Sequence, residues 1–438
     1  MTVSTMDLAD YAANHGIRHF LFSFCDLFGV QRAKLVPASA AAELAAGGAG
    51  FAGFAAWLDM TPADPDVLAI PDPGSLMVLP WQPEVAWVAT DLRLGEDLVE
   101  QAPRRVLARQ MAAAADLGFE LRSGVEAEFF LLDPESGAVA DRHDSQEKPC
   151  YDQLALMRRY PLISSLLDGL EQLGWGPYQA DHEDANGQFE INWTFADALR
   201  TADRHAFFKV MVKTLAEKQG LRASFMPKPV AGLTGNGCHC HLSLWSPQGV
   251  NLFHDPAGPL GLSPLAYRFL GGVLHHTPAL CAITNPAVNS YRRLAAPPTL
   301  SGATWSPGGI SYSGNNRTHM VRIPDDQRFE LRLADGATNP YLLQAAILAA
   351  GLDGIERQLD PGPRLDTNSY TDRVPPGIHV EALPGSLGEA LHAFAADRTL
   401  RARLGEGFCR SYEQLRRRQW ERSQTGVSSW ELWQGLEA

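Results

Sequence analysis

The stretch Cys238-His-Cys-His-Leu-Ser-Leu244 decides the fold. A strand sends alternate side chains to opposite faces. His239, His241 and Ser243 therefore share one face, and Cys238 and Cys240 turn away from it. Three further stretches repeat the design. Val125-Glu-Ala-Glu-Phe129 puts Glu126 and Glu128 opposite Val125, Ala127 and Phe129. Gln188-Phe-Glu-Ile-Asn-Trp193 puts Glu190 and Asn192 opposite Phe189 and Ile191. Arg328-Phe-Glu-Leu-Arg-Leu333 puts Arg328, Glu330 and Arg332 opposite Phe329, Leu331 and Leu333. Each strand has one packing face and one face of Glu, His or Arg.

An exposed sheet usually mixes Lys, Thr, Ser and Gln on its wet side. These four faces carry carboxylates, imidazoles and guanidiniums, with no Lys. Paired carboxylates on one strand repel each other unless a cation neutralises them. Several Glu plus one His suit hard cations such as Mg²⁺ or Mn²⁺. The arginines suit phosphate or carboxylate clamps. A zinc site at Cys238 and Cys240 is disfavoured, because both point away from His239 and no CxxC spacing occurs. Packed free thiols are the expectation. His182-Glu183 resembles the start of a zinc-protease motif, but Asn186 stands where a second His is needed. Gly235-Asn-Gly237 is too short for a dinucleotide fingerprint.

The chain has 438 residues with 37 Lys+Arg against 50 Asp+Glu, a formal charge of -13. That acidic balance argues against a nucleic-acid partner. No apolar run of about 18 residues occurs, so no membrane span is expected. Residues 1–15 lack the basic and apolar regions of a secretory signal. Six cysteines are too few for a disulfide framework, so reduced thiols in a cytoplasmic enzyme are expected.

A first helix is expected from Ser4 or Thr5 to Gly16, then strands over 18–26 and up to Pro37. Residues 38–53 read as part helix, part loop. A boundary falls near Glu100–Pro103, where a helix over 104–117 begins. Further helices are expected near 153–174, 200–220, 264–284, 340–358 and 387–422. On the last, Arg416, Arg417 and Arg418 read as a solvated face. From Pro256 to Pro324 there is no acid, while Arg268, Arg292, Arg293, Arg317 and Arg322 are present. Such a segment suits an anionic substrate, and equally an apolar helix with a Gly/Pro-rich loop.

These residues resemble the glutamine synthetase family over nearly the whole chain. The resemblance is carried by Val125–Phe130, His182–Glu190, Phe225-Met-Pro-Lys-Pro229, Gly235–Ser243, Asn289-Ser-Tyr-Arg-Arg293, Asn315-Asn-Arg317, Arg322-Ile-Pro324 and Arg328–Arg332. Gly50-Phe-Ala-Gly-Phe54, Trp57-Leu-Asp59 and Thr318-His-Met320 look like the branch of type III-like glutamine synthetases and γ-glutamylmethylamide synthetases. The resemblance implies an α+β fold: a small N-terminal β-grasp domain over 1–100, and a larger catalytic domain over 101–438 with a curved antiparallel sheet flanked by helices. It also implies a dodecamer of two hexameric rings, with active sites shared between neighbours.

By resemblance, one metal ion would bind Glu128, Glu183 and Glu190, and another Glu126, His239 and Glu330. ATP would contact Phe195, His241, Ser243, Arg322 and Arg328, and glutamate would be held by Arg293, Arg332 and the backbone of Gly235. Arg317 falls where the transferring phosphoryl group is stabilised. Tyr370 lies in a loop like one that some relatives adenylylate, and reads as a plain loop tyrosine.

The sequence departs from the family pattern. Thr234 stands where many members have Asn, and the loop between Arg293 and Arg317 is longer than usual. The usual ammonium site has an Asp in the N-terminal domain and a Glu in that loop. Here Ala52 takes the Asp position and the loop has no acid, leaving Asp184, then Asp59, as the acid near the amine. The chain thus reads as an ATP-, glutamate- and Mg²⁺- or Mn²⁺-dependent ligase using methylamine, with Glu183, Asp184 and Arg317 in the catalytic step. Ammonia is the alternative amine. A catalytically dead member would show lost metal ligands, and all six are present.

Overall fold

The computed structural model describes residues 7–437. The chain folds as α+β, with a curved antiparallel sheet flanked by helices. The first helix is Leu8–His15, capped by the Asp7 carboxylate and ended by left-handed Gly16; Ser4 and Thr5 lie outside the described residues. The hairpin His19–Cys25 and Gln31–Pro37 joins a mixed sheet in which His19–Cys25 pairs in parallel with the long strand Gln82–Leu94. Val67–Pro71 and Ala49–Phe51 extend that sheet on the other side of Gln82–Leu94. The stretch read as part loop is ordered as helix Ala41–Gly47, strand Ala49–Phe51 and the turn Gly53–Ala56.

Two sheets carry the four chemical strands. One runs Pro177–His182, Gln188–Trp193, Phe129–Leu132, Arg222–Ser224. The other runs Ala196–Asp197, Glu120–Ala127, Cys238–Trp245, Arg328–Leu331, Val321–Asp325, Tyr312–Ser313. The chain crosses between them at Glu128 and again at Thr194–Phe195. Strands that switch sheets make the corners of a curved surface. The expected single strand through Glu126 and Glu128 is therefore broken: Glu128 is the corner residue, and its N–H donates to the Gly237 carbonyl at 3.2 Å.

Behind this surface, Pro340–Arg357 is apolar on all sides and almost wholly buried, as a central core helix should be. It packs on Pro264–Thr284, whose bounds match expectation, and on Pro103–Asp116, where Pro103 occupies the first turn. The expected helix over 153–174 is two helices, Gln153–Arg158 and Tyr160–Gln172, because Pro161 disfavours helical backbone before it. That over 387–422 is three. Asp397 leaves helical geometry and caps the second, and Gly405, at φ 92°, separates the third. Arg416 is not solvated: it is 3% exposed, with its guanidinium 4.4 Å from the Phe28 ring and 5.3 Å from Tyr412.

Arg104 ties the N-terminal sheet to the core. It meets Asp72 at 2.6 Å, Asp91 at 3.0 Å and buried Asp203 at 3.2 Å, and the Tyr341 hydroxyl donates to Asp203 at 2.7 Å. Burial pushes the Asp203 carboxyl up and Arg104 opposes it. Removing one partner of a buried ionic cluster strands the other charge, at about 3 kcal/mol. Arg104→Met is therefore expected to lower Tm by several degrees, read by thermal melting with and without divalent cation; an unchanged Tm would show that the cluster holds nothing together.

Candidate active site

Strand register assembles the site. His239 lies opposite Glu126, His241 opposite Glu330, Arg322 opposite Glu330, and Asp181 opposite Glu190. His239 Nδ1 is 3.5 Å from Glu126 and 3.4 Å from Glu330. Oxygen and nitrogen atoms of Glu126, Glu190 and His239 lie within 4.8 Å of one another, as do those of Glu126, His241 and Glu330, and of Asp181, Glu183 and Glu190. Asp181 is a member that the sequence reading missed. Its signal was available, since Asp181 stands two residues before Glu183, at the end of strand Pro177–His182.

Glu128 stands beside this cluster with one oxygen already engaged. Oε2 accepts from Gln188 Nε2 at 2.9 Å and from the Gly237 N–H at 2.7 Å. Gln188 also donates to the Gly235 carbonyl and to Asn236 Oδ1, so it organises the whole corner. Sequence reading passed over it as a strand residue. A Cβ on Gly237 would come within 2.7 Å of His239 Nε2 and 3.1 Å of Arg293, so any larger residue would have to displace these side chains.

The electrostatics divide the cluster in two. Burial, then the neighbours Glu128 and Asp181, push Glu183 up to about 8. Burial, Glu126 and Glu183 likewise push Glu190 well up. Burial also raises Glu330, but Arg332, His239 and His241 overcome it and hold that carboxyl at about 2. Glu126 is held well below the usual range, because His241 and His239 outweigh its burial. Among the described residues no Lys or Arg pairs with Glu183 or Glu190. Oxygen donors with one imidazole, crowded until they resist ionisation, fit hard divalent cations.

Beside the carboxylates is a cavity of about 510 Å³, lined by Gly124, Tyr178, Phe195, His241, Ser243, Trp245 and Arg328 among others. Phe195 is half exposed and lies 6.1 Å from Trp245, whose Nε1–H donates to Ser243 Oγ at 2.9 Å. Arg328 Nε donates to His241 Nδ1 at 3.0 Å, which leaves the proton on Nε2, 2.9 Å from Glu126 Oε1. Arg322 is outside this cavity and is paired with Glu330 at 2.9 Å. A larger cleft of about 660 Å³ beside Asp72 and Arg104 contains none of the expected site residues.

On the other side stand the arginines. Arg332 meets Glu330 at 2.6 Å. Arg293 is 2% exposed and has no carboxylate partner among the described residues. It donates to the carbonyls of Leu333 at 3.0 Å and Arg332 at 3.3 Å. The Tyr370 hydroxyl is buried without a hydrogen-bond partner among the described residues, near enough to both arginines to be felt by them. Arg317 is exposed and outside the carboxylate cluster; burial raises the Tyr151 phenol, and the Arg317 charge acts against that rise. Asp184 is buried, and its Oδ2 accepts from Thr234 and Ser301. His182, of the apparent protease motif, is buried between Asp144 and the Pro149 carbonyl, so its role is structural. Cys238 and Cys240 are buried thiols, and burial pushes both up.

The family described as glutamine synthetase, catalytic domain, matches residues 100–434. A glutamine synthetase of Rhizobium leguminosarum bv. phaseoli is 54% identical over 98% of both chains. The glutamate–methylamine ligase of Methyloversatilis universalis is 40% identical over 98% of both chains. A solved GmaS/ADP complex superposes with a TM-score of 0.95 at 57% identity, covering 99% of this chain and 100% of that one. With the site geometry and these relatives together, the chain belongs to the glutamine synthetase family of ATP-dependent ligases.

Proposed function

We propose that this ligase joins the γ-carboxylate of glutamate to methylamine, giving γ-glutamylmethylamide, ADP and phosphate. The observation that carries the choice of amine is the loop between Arg293 and Arg317. It has no acid, and the hydroxyl of its Ser301 donates to the Asp184 carboxylate. Ammonium is small and strongly hydrated, so selecting it calls for closely placed carboxylates. Methylammonium offers a methyl group as well; burying one such group is worth ~0.8 kcal/mol by transfer, and a fitted pocket discriminates one methyl by about 1–3 kcal/mol. The methylamine ligase relative and the GmaS structures, GmaS being γ-glutamylmethylamide synthetase, support the same reading. Two rhizobial relatives described as glutamine synthetases, at 54% and 53% identity, favour ammonia as the second reading.

In the proposed mechanism Arg293 and Arg332, with the Gly235 carbonyl, hold glutamate beside the carboxylate cluster. Phe195, His241, Ser243 and Arg328 hold ATP in the neighbouring cavity, and Arg322, outside it, orients Glu330. Glu126, Glu128, Glu183, Glu190, His239 and Glu330 would hold the divalent ions, with Asp181 as a further ligand. When bound, such ions would supply positive charge against the charge developing on the transferring phosphoryl group. A γ-carboxylate oxygen attacks the γ-phosphorus and ADP leaves. Arg317 is proposed to swing inward onto the transferring group. Asp184 orients the amine and takes its proton, and the nitrogen displaces phosphate. Positioning supplies much of the rate.

The two-domain division near residue 100, a cytoplasmic location and a ring of twelve subunits belong to the same proposal. Supporting the ring, the terminal helix Ser429–Gly435 buries no residue of its own, and Trp430 and Trp433 stand exposed. The test is competition between methylamine and ammonia at equal concentrations with glutamate and ATP. γ-Glutamylmethylamide is expected to exceed glutamine by tens-fold, about what one methyl contact can supply. A product dominated by glutamine would return the chain to the ammonia-using enzymes.

A further inference from the structure

Ser301 Oγ donates to Asp184 Oδ2 at 2.6 Å, and Thr234 Oγ1 donates to the same oxygen at 2.9 Å. Asp184 is 5% exposed, and its Oδ1 has no protein hydrogen bond among the described residues. Two hydroxyl donors on one oxygen fix the plane of the carboxylate and leave the other oxygen as its free acceptor. The loop is built to deliver this serine. Thr299 Oγ1 lies 2.8 Å from Ser301 Oγ and 3.2 Å from the Ala303 carbonyl, a local turn that sets the hydroxyl's position. At the base of the loop Ser306 Oγ donates to the Arg293 carbonyl at 3.0 Å. One loop is thus fastened both to the arginine assigned to glutamate and to the acid assigned to the amine.

We infer that Ser301 is a positioning residue for the amine: it holds Asp184 so that Oδ1 faces the incoming nitrogen. The inference rests on the assignment of Asp184 to the amine. A serine does this without adding charge. A second carboxylate in its place would repel Asp184 and would offer an ammonium ion another acceptor. With one oxygen filled by hydroxyls, the site presents a single carboxylate oxygen to the amine, and the rest of its shell is left for the methyl group. A loop that merely closed over the site would touch Asp184 equally well with its backbone. The side-chain hydroxyl is what reaches the carboxylate.

The test compares Ser301→Ala, Ser301→Thr and Asp184→Asn in the full-length enzyme, with methylamine, glutamate and ATP each varied at saturating Mg²⁺. A hydrogen bond to a charged acceptor is lost in Ser301→Ala, so KM for methylamine is expected to rise about tenfold or more. KM for glutamate should stay within about twofold, and Ser301→Thr, which keeps the hydroxyl, should restore most of the loss. A comparable rise in both KM values, as from a loosened loop, would overturn the inference. So would unchanged methylamine kinetics in Ser301→Ala while Asp184→Asn is crippled with methylamine. Normal methylamine kinetics in Asp184→Asn would instead remove the underlying assignment of Asp184, whatever Ser301→Ala does.

Discussion

Glu183→Gln is expected to cost at least ~10³-fold in turnover and, at the same time, to stabilise the protein stripped of divalent cations at alkaline pH. The two effects have one cause. Glu183 is crowded by Glu128 and Asp181 in a buried site, and its carboxyl is raised from 4.5 to about 8. In the folded, metal-free protein it therefore keeps its proton where the unfolded chain has lost it. That proton's contribution to stability is fully present below the unfolded value of 4.5, and it is lost as pH rises through about 8. A glutamine mimics the protonated state and cannot lose it. In chelator the wild-type Tm should fall as pH rises from about 5 to 9, and the variant should fall less. Added Mg²⁺ should raise the wild-type Tm, most strongly at high pH, and the variant's much less. Parallel melts, or turnover surviving at saturating Mg²⁺, would mean that Glu183 is no ligand.

Glu330 gives the contrasting case within the same cluster. Arg332, His239 and His241 hold it at about 2 against its burial. It also accepts from Arg322 at 2.9 Å and Arg332 at 2.6 Å. Glu330→Ala leaves Arg332, which is 3% exposed, without its carboxylate. It should lose turnover and also lower Tm, the opposite sign from Glu183→Gln at high pH.

The strand faces were legible because period-two alternation is a local property, and His239, Glu126 and Glu330 lie where it puts them. What alternation could not show is where a strand ends. Glu128 looks like the partner of Glu126 on one face, yet it is the corner between two sheets. Only the long-range bond to Gly237 reveals this. Gln188 was invisible for a similar reason: an amide at a strand start carries no pattern, and its importance lies in three partners distant in sequence. The helix over 387–422 was read too long because Asp397 and Gly405 are ordinary inside a helical pattern until capping geometry is seen. Arg416 was misread as solvated because its partner, Phe28, comes from the other end of the chain. The assignment of glutamate, ATP and metal ligands came from family resemblance, and charge patterning alone would have stopped at a divalent-cation and anion site.

Arg293→Met is expected to raise KM for glutamate about a hundredfold or more while leaving KM for ATP within a few-fold. Arg293 is buried, and its burial disfavours the charge against the pull of Asp335 and Glu128. Its visible bonds go only to two backbone carbonyls. A guanidinium taken out of water without a carboxylate is costly unless an anion arrives. In the free enzyme it is therefore a destabilising feature, and under the proposed function glutamate's carboxylate supplies the missing partner. Methionine keeps the length and removes the buried charge. Metal-free Tm should therefore change little, the relief of charge offsetting the two lost carbonyl bonds. Arg293→Lys separates charge from geometry. It keeps the charge but not the planar fork, so its glutamate KM should fall between wild type and Arg293→Met. Isothermal titration of glutamate into enzyme with ADP and Mg²⁺, beside steady-state kinetics, reads both. If glutamate binding in Arg293→Met stays within threefold of wild type while Tm rises, the buried charge is structural strain, and glutamate is held elsewhere.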